Sequence, residues 1–274
     1  MLPNLIVIGA QKCATSSLHQ YLAAHPDIFM SQRKELNFFV AEKEWPQGLD
    51  WYRAHFPEAA KVRGESSPNY TTYPFFAGVA ERMHAALPDA RLIYVVRDPI
   101  ERMLSQYAHA VERYNLKRPA GEVLLDPEGV YQARSRYFLQ LQEYLRFYDK
   151  SAIMVVEYEA LAADRPAMLR RIFEFLGVDP DFTSPAFDQV YHSSAEKRRL
   201  NPLGSAMRKA YHSARRLLPA AGRLARLRQS KLLSRKVERP LLSESERARL
   251  REHLADDVAQ LRAFTGLGLE SWSV

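Results

Sequence analysis

Four short apolar runs punctuate the chain, with stretches of helical periodicity between and after them. The runs at 5–9 (Leu5-Ile6-Val7-Ile8-Gly9), 62–65, 91–96 and 152–157 are rich in apolar, β-branched or aromatic residues and predict strands. Apolar residues at helical spacing predict helices over 16–24, 75–87, 100–114 and 131–148. In the last of these the stripe is Tyr131, Tyr137, Phe138, Leu141 and Leu145, a pattern that more often means core than ligand site. Pro166, then Leu169, Ile172, Phe173 and Leu176, then Gly177, spells a further helix with a proline start and a glycine stop. Ser243 and Glu246 stand at capping-box spacing ahead of a long helix that Gly266 ends.

Strand–helix alternation with connections this long requires a parallel sheet covered on both faces, so the expected fold is an α/β three-layer sandwich. Ligands of such sheets bind beyond the carboxyl ends of the strands. Two junctions of phosphate-binding type fall there. One follows 5–9 and runs Ala10-Gln11-Lys12-Cys13-Ala14-Thr15-Ser16-Ser17; the other follows 91–96 and reads Arg97-Asp98-Pro99. No internal repeat, low-complexity tract or linker divides the chain, so 1–274 is expected to form one domain.

Composition narrows the setting. With 274 residues, 47% of them hydrophobic, the chain can bury a substantial core. No secretory leader or bilayer-length apolar run is legible, and the single cysteine, Cys13, excludes an intramolecular disulfide. The expected location is the cytoplasm. The net charge of +7 is concentrated: 197–236 holds 13 Lys and Arg and no Asp or Glu, leaving 26 basic against 32 acidic residues elsewhere. Within it, 206–218 and 223–233 read as basic, partly amphipathic helices separated by Pro219. Such a segment suits a polyanionic acceptor, an anionic membrane surface, a lid over a site, or a solvated helical face.

Hydroxyls and backbone N–H groups at a helix start satisfy phosphate oxygens, and the helix dipole favours the anion. Lys12, Thr15, Ser16 and Ser17 could serve that purpose or form an ordinary cap after a strand. The usual triphosphate loop, glycine, four residues, then Gly-Lys-Ser/Thr, is absent, which counts against an ATPase or GTPase with a degenerate loop. Arg97 can take a phosphate bidentately or pair with Asp98 or Glu101. Lys34-Glu35 alone is an ordinary exposed charged turn. The eight histidines are scattered, and no Cys/His cluster or His-Glu-x-x-His spacing suggests a metal, so none is expected.

Lys12-Cys13-Ala14-Thr15-Ser16-Ser17-Leu18, His25-Pro26 and Lys34-Glu35-Leu36-Asn37-Phe38-Phe39 resemble the nucleotide-dependent sulfotransferases. The likeness is closest to the branch acting on carbohydrates such as heparan sulfate. It continues through Gly64-Glu65-Ser66-Ser67-Pro68-Asn69-Tyr70 and Arg97-Asp98-Pro99-Ile100-Glu101-Arg102 with Ser105. It returns from Leu242-Ser243 through Leu261, Gly266 and Trp272. The resemblance implies the P-loop nucleotide-binding-like sulfotransferase fold, with 3'-phosphoadenosine 5'-phosphosulfate (PAPS) as donor, 3'-phosphoadenosine 5'-phosphate (PAP) as product, and no metal. By position, Lys12, Cys13, Ala14, Thr15, Ser16 and Ser17 would hold the 5'-phosphosulfate end, and Arg97 and Ser105 the 3'-phosphate. Glu35 would be the catalytic base, Lys34 would orient it or offset sulfuryl charge, and Lys12 would stabilise the leaving phosphate. Lys197-Arg198-Arg199 would lie in a basic loop closing over the donor, with Arg198 or Arg199 making the contact.

The resemblance leaves choices open. Related enzymes acting on small hydroxylated compounds use histidine as base, which makes His109 the rival of Glu35. Ala14 stands where the family often has glycine, and its methyl restricts the backbone near the phosphosulfate. The acceptor would be a carbohydrate, a glycolipid or another small hydroxylated compound, sulfated on oxygen or nitrogen, and not a nucleic acid. Trp51, Tyr70, Tyr73 and Tyr107 are candidate platforms for a sugar ring. A binding module working through 197–236 alone would be indifferent to Arg97.

Overall fold

The computed structural model describes residues 1–56, 60–189, 198–200, 234–236 and 240–274. Five strands form one parallel sheet in the order β2-β3-β1-β4-β5. They are β1 (Leu5–Gly9), β2 (Ile28–Met30), β3 (Val62–Ser66), β4 (Arg91–Val96) and β5 (Ile153–Glu157). The central strand β1 pairs with β3 on one side and β4 on the other. Every residue of β1, and all of β4 after Arg91, is buried. Continuous β-branched runs of this kind are what a sheet covered on both faces demands. Helices α1 (Thr15–Ala23), α2 (Gly48–Arg53), α3 (Val79–Ala86), α4 (Pro99–Tyr114), α5 (Ala120–Leu124), α6 (Val130–Ala133), α7 (Tyr137–Leu145), α8 (Tyr158–Ala163), α9 (Arg165–Leu176) and α10 (Glu244–Thr265) flank it. This is the expected fold class.

The long α10 ties two apolar clusters together. Its Leu250 and Leu254 pack with Ile100, Met103 and Leu104 of α4, while Val258 and Leu261 join the cluster around the sheet. Its start is the expected capping box: Glu246 Oε2 accepts from Ser243 N–H at 2.7 Å, and Ser243 Oγ accepts from Glu246 N–H at 3.3 Å. Gly266, at φ 71°, closes it in the left-handed conformation that glycine adopts without strain.

Several expected elements change shape. Strand β2 and helices α2 and α5 escape the pattern because three to six residues are too few to show a period. The helix expected over 75–87 starts only at Val79, behind Gly78 at φ 70°. The strand expected from 152 begins at Ile153, Ala152 belonging to a 3-10 turn. The stretch expected as one helix over 131–148 is two, α6 and α7, interrupted at 134–136. The basic segment 197–236, expected as helical, has strands at its ends: β6 (Arg198–Leu200) pairs antiparallel with β7 (Ser234–Lys236). Backbone pairing there overrides a composition that three residues cannot advertise. The helices expected at 206–218 and 223–233 lie outside the described residues. The backbone of β6 runs beside α4.

Candidate active site

The β1–α1 loop leaves the carboxyl end of the central strand. The register between β1 and β4 shifts between Val7 and Gly9, and Ala10 N–H then donates to Val95 O at 2.7 Å. A Cβ on Gly9 would stand 2.1 Å from Thr71 Oγ1, so only glycine fits this approach. Lys12 (φ 75°) and Ala14 (φ 59°) are both left-handed, a conformation costing a non-glycine residue roughly 1–2 kcal/mol. Ala14 therefore holds the geometry that glycine would supply without strain. It is also the N-cap of α1, which has no side-chain cap and no acidic residue in its first turn. A helix start without an acidic residue or a side-chain cap is compatible with an anion at its N-terminus. Thr15 and Ser17 are buried and Ser16 is half-buried. Burial pushes the Cys13 thiol up to about 11, so Cys13 is a neutral packing residue beside Tyr137.

Two guanidinium groups lie beside this loop. Arg102, on α4 and fully buried, donates to Ser135 Oγ (2.7 Å), Gln106 Oε1 (2.7 Å), Tyr131 O (2.6 Å) and Gln11 O (3.5 Å). Arg134, from the break between α6 and α7, donates to Gln11 Oε1 (2.6 Å), Thr72 Oγ1 (3.0 Å) and Asn69 Oδ1 (2.9 Å). Every one of these acceptors is neutral. Burial, reinforced by the charge of Arg102, pushes Arg134 down to about 10, and it stays protonated at neutral pH. Arg102 and Arg134 therefore put buried positive charge beside the loop, held by neutral oxygens.

Arg97 ends β4. Its guanidinium carbon sits 4.8 Å from the centre of the Tyr158 ring, and its Nε is buried with no partner. The sequence left pairing with Asp98 or Glu101 open, but Asp98 is otherwise engaged. Its Oδ1 caps α4 through Glu101 N–H (2.9 Å) and its Oδ2 takes Ser273 N–H (2.5 Å). The Tyr137 hydroxyl fixes the Arg97 backbone by donating to its carbonyl at 2.7 Å. Ser105 lies on α4, buried. Arg198 and Arg199 lie on β6.

On the other side of β1, Lys34 and Glu35 occupy a turn after β2. Lys34 Nζ stands 3.1 Å from Glu35 Oε1, and the Glu35 side chain is 49% exposed. Glu35 (φ 61°) and Asn37 (φ 53°) are left-handed. Glu35 N–H donates to Ser66 O (3.1 Å), and Asn37 N–H to Ser67 Oγ (2.9 Å). Ser67 Oγ in turn donates to Glu65 Oε2 at 2.5 Å. Burial raises the Glu65 carboxyl against hydrogen bonds from Ser67, Tyr70 and Tyr52 that favour its charged form. His19 Nδ1 faces Ser66 Oγ at 3.0 Å; burial and then the charge of Lys34 push His19 down to about 4, so it is neutral. His109 is on α4, 3.7 Å from Glu112 Oε2 and one turn from it in sequence.

Of the aromatic candidates, Tyr70 is buried and donates to Glu65 Oε1 at 2.6 Å, so it is core and not a platform. Trp51 carries Arg33 over its ring at 5.4 Å, and Tyr107 donates to Arg118 O. Tyr73 lies beyond Thr72, its N–H held by Gln140 Oε1. No local pattern in the sequence points to Arg134 or His19, and Arg102 stands out there only as part of the motif that begins at Arg97. A groove of about 710 Å³ between β5 and α9 opens at the amino end of the strands, away from these groups. Among the described residues no group of three or more His, Cys, Asp or Glu could hold a metal ion.

The family model described as "Sulfotransferase family" matches residues 3–183. The mouse heparan sulfate glucosamine 3-O-sulfotransferase 3B1 is 31% identical over 199 residues, 68% of this chain and 49% of that protein. The membrane-associated sulfotransferase kil1 of Dictyostelium discoideum is 39% identical over 116 residues, 40% of this chain and 24% of that one. The chain thus spans between a quarter and a half of the length of these relatives. A sulfotransferase crystal structure from Alicyclobacillus acidocaldarius superposes with TM-score 0.73 and 25% identity over the whole of both chains.

Proposed function

The chain belongs to the sulfotransferase family, and from that premise we propose that it transfers a sulfuryl group from PAPS to a hydroxyl or amine of a carbohydrate, a glycolipid or another small hydroxylated acceptor. The observation that carries this reading is the pair of buried guanidiniums beside the β1–α1 loop, compensated only by neutral oxygens. Through space, buried positive charge of this kind favours an anion beside the loop. The orphaned Nε of Arg97 and the first turn of α1, which carries no acidic residue, fit the same donor at two points.

Bound there, PAPS supplies an activated sulfuryl group and a phosphate leaving group. Lys12, Cys13, Ala14, Thr15, Ser16 and Ser17 hold its 5' end by backbone N–H, hydroxyl and ammonium groups. Arg97 and Ser105 hold the 3'-phosphate. Arg198 and Arg199, on a strand whose backbone runs beside α4, belong to a basic loop that closes over the donor. Lys12 offsets negative charge on the departing phosphate. Glu35, half-exposed and charge-paired to Lys34, accepts the acceptor's proton as it attacks sulfur. Neutral His19 holds Ser66 and takes no proton at physiological pH.

Glu35→Gln lowers sulfuryl transfer from labelled PAPS to heparan sulfate by roughly 10²–10⁴ while PAP binding persists. Full turnover in that variant removes Glu35 as base and returns His109 to consideration. The mouse relative's name supports a carbohydrate acceptor. Among the described residues no helix is long and apolar enough to cross a membrane. A cytoplasmic location, with 197–236 touching the acceptor or an anionic membrane, completes the proposal; cell fractionation and vesicle sedimentation test these two parts.

A further inference from the structure

We propose that Arg134 is a positioning residue that locks the Glu35 turn to the β1–α1 loop, so that the donor site and the base share one anchor; this rests on the reading of Glu35 as base. Its guanidinium reaches three segments at once: the loop through Gln11 Oε1, the end of the β3 motif through Asn69 Oδ1, and the following stretch through Thr72 Oγ1. The link then runs outward. Asn69 Nδ2 donates to Asn37 Oδ1 at 2.9 Å, and Asn37 Nδ2 donates to Glu35 O at 2.7 Å.

The turn needs such a hold. Two non-glycine residues, Glu35 and Asn37, sit at positive φ within three positions, and the turn follows the edge strand β2. Strained backbone of this kind persists where its surroundings over-determine it. The N–H groups of Glu35 and Asn37 are held by Ser66 and Ser67, and the Asn37 side chain is held by Asn69, which Arg134 fixes. The charged groups facing Glu35 are Lys34 in direct contact and Arg134 within electrostatic reach. A lysine at 134 keeps the charge but cannot span three acceptors with a planar fork.

Two variants test this, Asn69→Ala, which cuts the relay without touching the β1–α1 loop, and Arg134→Lys. The first readout is hydrogen exchange at the amides of Glu35 and Asn37, which needs no acceptor. Both variants should exchange there roughly tenfold faster than wild type. PAP binding, read by thermal shift, should be unchanged in Asn69→Ala. With PAPS and heparan sulfate as probe acceptor, kcat should fall roughly tenfold or more in Asn69→Ala without a matching rise in KM for PAPS. In a Glu35→Gln background, Arg134→Lys should cost nothing further, because its effect passes through Glu35. Wild-type exchange at both amides in Asn69→Ala overturns the proposal even if Arg134→Lys fails to fold. An undiminished second loss in the double variant also overturns it, since Arg134 would then act on the donor directly. A fully active Glu35→Gln with accelerated exchange in Asn69→Ala sinks the base assignment and leaves the positioning of the turn intact.

Discussion

The two sides of the candidate site are built differently. The donor side grows from the middle of the sheet: β1 and β4 are buried along nearly their whole length, and the β1–α1 loop is fixed by backbone contact with Val95 and by close approach to Thr71. The base side is a turn after the edge strand β2, with Glu35 half-exposed and held by side chains from β3 and beyond. A centre fixed by the sheet suits a donor that never changes. An edge fixed by side-chain relays can be remodelled without disturbing the core, which is how one donor site can serve different acceptors.

If that contrast holds, damage on the donor side reaches the fold or nucleotide binding, and damage on the base side reaches turnover alone. The largest effect is expected from Arg102→Leu, which strands neutral acceptors at Ser135, Gln106 and Tyr131. Stability should fall by about 3 kcal/mol in urea unfolding, and lost activity at unchanged stability would break the contrast. Next comes Arg97→Ala, expected to weaken PAP by roughly one to two decades in calorimetry while leaving ADP affinity alone. An equal loss for both nucleotides would move the 3'-phosphate site elsewhere.

A smaller effect should appear in the pH dependence of stability, through α10. Asp257 accepts the N–H groups of Phe138 and Leu139 at the start of α7, and burial pushes its carboxyl up to about 6. Between its ordinary value near 4 and about 6 the folded chain keeps a proton that the unfolded chain has released. Stability from this group is therefore full below that window and lost as pH rises through it, at about 1.4 kcal/mol for each pH unit. Asp257→Asn should flatten this slope in unfolding curves taken at pH 4 to 7; an unaltered slope would assign it to other carboxylates.

The same contrast explains what could be read in advance. The sheet centre is spelled in the sequence by unbroken β-branched runs at Leu5–Gly9 and Arg91–Val96, and both loop ends follow them. The α10 cap and stop are local signals, and they appear where expected. The base side is not local. Asn37, Asn69 and Arg134 are far apart in sequence and meet through side-chain hydrogen bonds that no period announces. Arg134 was hidden inside an apolar stripe that predicts one continuous helix, whereas the chain breaks at 134–136. Tyr70 reads as a surface platform only because sequence cannot show that a buried carboxylate, Glu65, takes its hydroxyl proton as a hydrogen bond.

This site should bind a 3'-phosphorylated adenine nucleotide without a metal. A thermal-shift titration comparing PAP with ADP, each with and without Mg²⁺, tests it directly. A ligand at 100 times its Kd adds about 2.7 kcal/mol, which for a domain of this size raises Tm by roughly 5–10 °C. That shift is expected with PAP in the absence of Mg²⁺, and a much smaller one with ADP. Stabilisation by ADP that requires Mg²⁺, with none from PAP, would contradict it and point to phosphoryl transfer.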